Sequence, residues 1–343
     1  MSKIGFTQKS SYFENYEKFT GKKLVKILLE NSSDARVWRD AFPKLKDTKF
    51  EFTTAIEEAT NLDILPAEGC KQLDKISPYL LGKHLIVCKD SDFSYINNLI
   101  KNIMDEGYSS IEKPFVFETN VYSIENIEFY SEFVKNHFAK GLFLHESSFH
   151  DKWINDFYSI FSNLIYETFL KFIFLNIYAN SKTESVNQIY DCLVKINKIP
   201  TQTMNDFINF FESKEWNNVK HEISLIDQKF NSLIDSKNLK ENFLLVKDEL
   251  IKKGVNSENI YLFYKGHHIE SIFKNIFKAY LKIKYQIYTD EICSKLQETV
   301  ANEKRKSLKK NRKEFDIQSD QRDLSELYFF ESTLNKINTI YKS

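Results

Sequence analysis

Leu85-Ile86-Val87-Cys88-Lys89-Asp90-Ser91-Asp92 is the stretch on which the fold turns. An apolar run of strand length ends in two carboxylates, and a helical pattern begins almost at once, at Tyr95. A strand that is apolar at successive positions is buried on both faces, as in a parallel sheet. Upstream, Leu24-Val25-Lys26-Ile27-Leu28-Leu29 ends the same way, on Glu30. Ligands of open α/β sheets bind outside the carboxyl ends of the strands. Glu30, Asp90 and Asp92 are therefore expected at one edge, the last two turned the same way because alternate residues of an extended chain share a face. Carboxylates gathered there repel one another unless a divalent cation lies between them. An all-oxygen set favours Mg²⁺ or Mn²⁺ over zinc. The plainer alternatives stay open: Asp92 as the cap of the next helix and Glu30 as a solvated strand end. A lone DxD is a weak motif.

Outward from these runs, residues 1–145 alternate strand-like and helical segments. The pattern predicts a strand at Leu24–Leu29, then a helix at Asp34–Phe42 stopped by Pro43. Phe50–Thr53 reads as a strand, Gly69–Ile76 as a short helix, His84–Cys88 as a strand and Tyr95–Met104 as a helix. Phe115-Val116-Phe117 opens a further strand running toward Tyr122. Such alternation means βαβ units and a mostly parallel sheet. From Trp153 the period changes: Phe157, Ile160, Phe161, Leu164, Ile165, Phe169 and Phe172 keep helical spacing. The expected fold is an α/β domain over 1–145 followed by a mainly α-helical domain over 146–343. Residues 255–275 are a possible return to the sheet, with Tyr261-Leu262-Phe263-Tyr264 as an edge strand.

Lys+Arg and Asp+Glu are both 48, so net charge gives no reason to expect a polyanion partner. Cys70, Cys88, Cys192 and Cys293 form no CxxC pair, which argues against a zinc knuckle or disulfide framework and suits a reducing cytoplasm. The N-terminus lacks the apolar core of a signal peptide. Phe157–Ala179 is the most membrane-like stretch, but Asn163, Glu167 and Lys171 lay a polar stripe along it. A buried amphipathic helix is expected there and no membrane association. No Walker A motif is present, so any ATP dependence must come from another protein.

Further candidates each have a bland counterpart. Asp34 can serve as an auxiliary carboxylate, and Glu125 can complete a metal site or sit at a helix start favoured by the macrodipole. Lys71 can contact a phosphate or be an ordinary surface lysine. His267 can donate to phosphate, and with His268 it can equally be a capping or core residue. In Lys304-Arg305-Lys306-Ser307-Leu308-Lys309-Lys310-Asn311-Arg312-Lys313, the cations at Lys304, Arg305, Lys309, Lys310 and Arg312 suit a nucleic-acid backbone or a solvated helix face.

The order Leu29-Glu30-Asn31, Gly69-Cys70-Lys71, Lys89-Asp90-Ser91-Asp92, then Tyr122-Ser123-Ile124-Glu125-Asn126 and Lys265-Gly266-His267, resembles a bacterial Toprim-like family. That family is related to OLD-type nucleases and to the nuclease subunit of the PARIS anti-phage system. The resemblance covers about residues 22–130 and 255–275. It implies a Toprim-like sheet and Mg²⁺- or Mn²⁺-dependent cleavage of RNA, tRNA included, or of DNA. Glu30, Asp90 and Asp92 would be the catalytic metal ligands. It further implies control by an ABC/OLD-type ATPase partner, and a homodimer is expected. Asn31 stands where the family usually has glycine. A catalytically silent Toprim-like scaffold or regulatory module is the alternative, since fold does not imply function.

Overall fold

Two apolar strands form the middle of the sheet, and the computed structural model describes residues 10–54, 73, 81–105, 107–108, 113–146, 149–178, 186–311 and 314–342. Strand β1 (Lys23–Leu29) is buried at every position after the first, and β3 (Leu85–Lys89) buries Ile86, Val87 and Cys88. The edge strands β2 (Thr48–Thr54) and β4 (Val116–Glu118) are only partly covered. The order is β2-β1-β3-β4, and all pairs are parallel. The chain therefore steps from β1 outward to β2, returns past β1 to β3 and continues to β4. This places a topological switch point between β1 and β3.

The chain packs into two compact units: residues 1–91, 110–124 and 321–343, and residues 92–109 and 125–320. The units interleave, whereas the period change along the sequence divides the chain at residue 145. The first unit holds the sheet, helix α1 (Ser10–Thr20), helix α2 (Ala35–Ala41) and the C-terminal helix Glu331–Tyr341. Helix α2 ends at Phe42, which is extended (φ −94°, ψ 137°), as the residue before a proline prefers. Trp38 packs on Phe330 (5.6 Å), and Phe50 meets Tyr341 edge-on (5.2 Å). The final residues thus cover the sheet instead of extending the helical unit, because apolar spacing marks a buried face without naming its partner.

The second unit is helical. It contains α3 (Ser94–Met104), α4 (Ile124–Glu128, entered at its second residue), α5 (Ser131–Gly141), α6 (Lys152–Tyr178) and α7 (Val186–Leu193). It continues with α8 (Met204–Ile208), α9 (Lys214–Ser236), α10 (Lys240–Lys252), α11 (Gly266–Cys293) and α12 (Glu298–Asn311). Helix α6 is long and apolar enough to span a bilayer, yet 67 % of its most apolar window is buried in the structure. Its polar stripe is spent on neighbouring helices: Lys171 Nζ donates to both carboxylate oxygens of Asp227 at 2.8 and 2.9 Å, and Lys247 pairs with Glu167.

Two expected strands differ. The strand opened by Phe115 stops at Glu118, and Asn120 then turns the chain with a left-handed φ of 55°. Tyr261–Tyr264 is no edge strand: Ile260–Phe263 is a buried 3₁₀ turn within the helical unit. Asn126 Nδ2 donates to the carbonyls of Tyr261 and Tyr264, both at 2.8 Å, so side-chain bonds satisfy that backbone in place of a ladder. A short apolar run does not distinguish strand from buried helix. The expected helix Gly69–Ile76 lies outside the described residues except for Leu73.

Candidate functional site

Glu30 and Asp90 both follow the carboxyl ends of neighbouring strands of the sheet. The β1–β3 register pairs Lys26 with Leu85, Ile27 with Ile86 and Leu28 with Val87. Carried forward, it brings Glu30 opposite Lys89, with Asp90 next along the chain. Adjacent strands lie about 4.8 Å apart, so two carboxylates leave neighbouring strand ends at the switch point. Oε1 of Glu30 is buried. Asn31 is extended (φ −131°, ψ 150°), a conformation open to any residue, so nothing in this backbone calls for the family's glycine.

A lattice of side-chain bonds fixes the loops beyond β3 and β4. Asp90 Oδ1 accepts from the Ile124 N–H at 3.1 Å. The Ser91 N–H donates to Thr119 Oγ1 at 3.0 Å, and the Asn120 N–H donates to Ser91 Oγ at 2.9 Å. Asn120 Nδ2 in turn donates to the Phe329 carbonyl at 3.0 Å. Ser91, the middle of the DxD, is only 2 % exposed and works as a clamp between the two loops. The sequence carries little sign of this, because a serine between two aspartates reads as filler until its partners are known.

Asp92 departs from the expected alternation. Strand β3 ends at Lys89, and Asp92 is exposed with φ 48°, so no pleat aligns it with Asp90. Nor does it cap the next helix, whose N-cap is Phe93. Asp34 closes the turn into α2: the Asn31 N–H donates to its Oδ2 at 3.1 Å and Ser33 Oγ donates to its Oδ1 at 3.3 Å. These bonds give Asp34 a capping role at the turn.

Within the helical unit, Glu125 stands in the first turn of α4 with its side chain 10 % exposed. His267 Nδ1 lies 3.3 Å from Glu125 Oε1, and Glu270 joins them. Glu270 is a participant that sequence reading missed, although its i+3 spacing from His267 places it on the same helix face. His268 is buried and stacks on Tyr190 with ring centroids 3.8 Å apart, so it is a core residue. Lys304, Arg305, Lys309 and Lys310 are all exposed on α12, which is anchored by Ala301 and Leu308. Among the acids after the run, Asp320 pairs with His137 and Asp323 holds Ser325. Lys71 and Arg312 lie outside the described residues.

Comparison of the chain with family models, with curated proteins and with solved structures finds no match.

Proposed function

We propose that this chain is a Mg²⁺- or Mn²⁺-dependent nuclease of Toprim-like type, hydrolysing phosphodiester bonds of RNA, tRNA included, or of DNA. One observation carries the proposal: Glu30 and Asp90 follow directly on the ends of adjacent parallel strands at the sheet's switch point. The donor set fits the ion. It is all oxygen, which hard divalent cations take. Glu30 and Asp90 would hold it. A cation bound there would neutralise a phosphate and acidify a water. The chain's own part is to fix Asp90 through the Ile124 N–H and to brace its loop through Ser91 and Thr119. The exposed cations of α12 suit a phosphate backbone without reading its sequence. A homodimer, an ABC/OLD-type ATPase partner and a role in anti-phage defence belong to the same proposal and rest on the resemblance, and a cytoplasmic location rests on the scattered cysteines.

The test is cleavage of labelled total tRNA and of plasmid DNA by the purified chain with Mn²⁺ or Mg²⁺, beside Glu30→Gln. Cutting is expected with the metal and should fall at least a hundredfold in the variant and in EDTA. Cutting that survives both would overturn the proposal. The silent-scaffold alternative is favoured by Asp90 Oδ1 and Asp34 already serving as backbone acceptors. It expects no cutting by the wild-type chain with either ion, even with an ATPase partner present.

A further inference from the structure

We infer that Glu125, His267 and Glu270 form a binding site for a transition-metal dication of the Mn²⁺, Co²⁺ or Zn²⁺ class. Each offers one ligand atom, and these atoms all lie within 4.8 Å of one another. Two come from one face of α11, where His267 and Glu270 are three residues apart. Helix-borne metal sites use the same i, i+3 pairing of imidazole and carboxylate. The third comes from the first turn of α4, a separate element of the same helical unit.

Exposure is graded across the three groups. The Glu125 side chain is 10 % exposed and that of Glu270 24 %, whereas His267 is 75 % exposed. Glu125, largely buried in the first turn of α4, forms the inner wall of the cluster. His267 opens the other side to solvent, which leaves an entry path and room for water ligands. Glu270 is oriented from outside the cluster: Lys274 Nζ and Gln318 Nε2 both donate to its Oε1, at 3.2 and 3.1 Å. Carboxylate ligands are commonly held by such outer hydrogen bonds. The imidazole sets the metal class, because Mg²⁺ prefers all-oxygen surroundings while nitrogen suits the later first-row dications.

The site uses only residues of the helical unit and does not depend on nuclease activity. Its test is titration of the purified full chain with Co²⁺, followed by visible absorption and equilibrium dialysis. His267→Ala and Glu270→Gln should each weaken Co²⁺ binding at least tenfold, and excess Mg²⁺ should not displace the ion. Glu30→Gln should retain the imidazole-ligated spectrum. Because His267 is mostly exposed, its alanine variant is expected to fold normally, which a thermal melt checks. Unchanged Co²⁺ binding in His267→Ala, or ready displacement by Mg²⁺, would overturn the inference. Cleavage is read separately, so a silent nuclease with intact Co²⁺ binding sinks only the functional proposal, and the converse result sinks only this one.

Discussion

Neighbouring histidines on α11 have opposite fates, set by one step around the helix. His267 faces water, while His268 is buried against Tyr190 with Nδ1 3.3 Å from the Tyr264 hydroxyl. Burial first, then the positive charges of Lys265 and His267, pushes its pKa down from 6.5 to about 4. As pH falls below 6.5 the unfolded chain takes up a proton that the folded chain refuses until about 4. Stability is therefore lost between those values, by roughly 3 kcal/mol at most. The urea midpoint should drop between pH 7 and pH 4.5, and should drop less in His268→Phe; parallel profiles would sink the assignment. The carboxylates differed in how plainly the sequence showed them. Glu30 and Asp90 were legible because each ends an apolar run whose length already implies a strand. Asp34 was not, since cap and ligand use the same oxygens and only the local turn separates them. Asp92 misled because alternation holds only while the backbone stays extended, and the chain turns left-handed at that residue.

At the scale of elements, long helices were easier to read than short aromatic runs. Helix α6 repeats its pattern over many turns, whereas Tyr261–Tyr264 offers one turn's worth of residues and no period to measure. The polar stripe of α6 is a structural tie. Thr168 Oγ1 and Lys171 Nζ both reach Asp227 on α9. Removing Asp227 leaves the largely buried Lys171 to Glu167, 3.8 Å away, which costs up to about 3 kcal/mol. Asp227→Ala should lower unfolding free energy by about that amount, and Lys171→Met with Asp227→Leu should restore much of it. Equal losses in the single and double variants would show that the pair is not coupled. Helix α12 supports a different prediction. If its exposed cations meet a phosphate backbone, Lys309→Glu with Lys310→Glu should weaken nucleic-acid binding similarly for all sequences. The slope of log affinity against log salt should fall by about 1 for each phosphate no longer neutralised. An unchanged slope would remove α12 from the interface.

Across the whole molecule, chain order and packing order part company. Residues 321–343 return to the sheet unit, where Thr333 Oγ1 donates to the Glu118 carbonyl at 2.9 Å and Arg322 lies against Asp40. Truncation after Asp320 should uncover Trp38 and Phe42, so fast amide exchange is expected throughout β1 and β3 while the helical unit keeps its protection. Protected strands in the truncated chain would contradict this. The same return has a consequence for biosynthesis. The ribosome makes β1 before the helical unit and residues 321–343 after it, so the sheet unit cannot close before residues 125–320 have been made. Its carboxylate edge stays unfinished until residues 321–343 have been made, and a shorter nascent chain cannot carry a completed sheet-edge site.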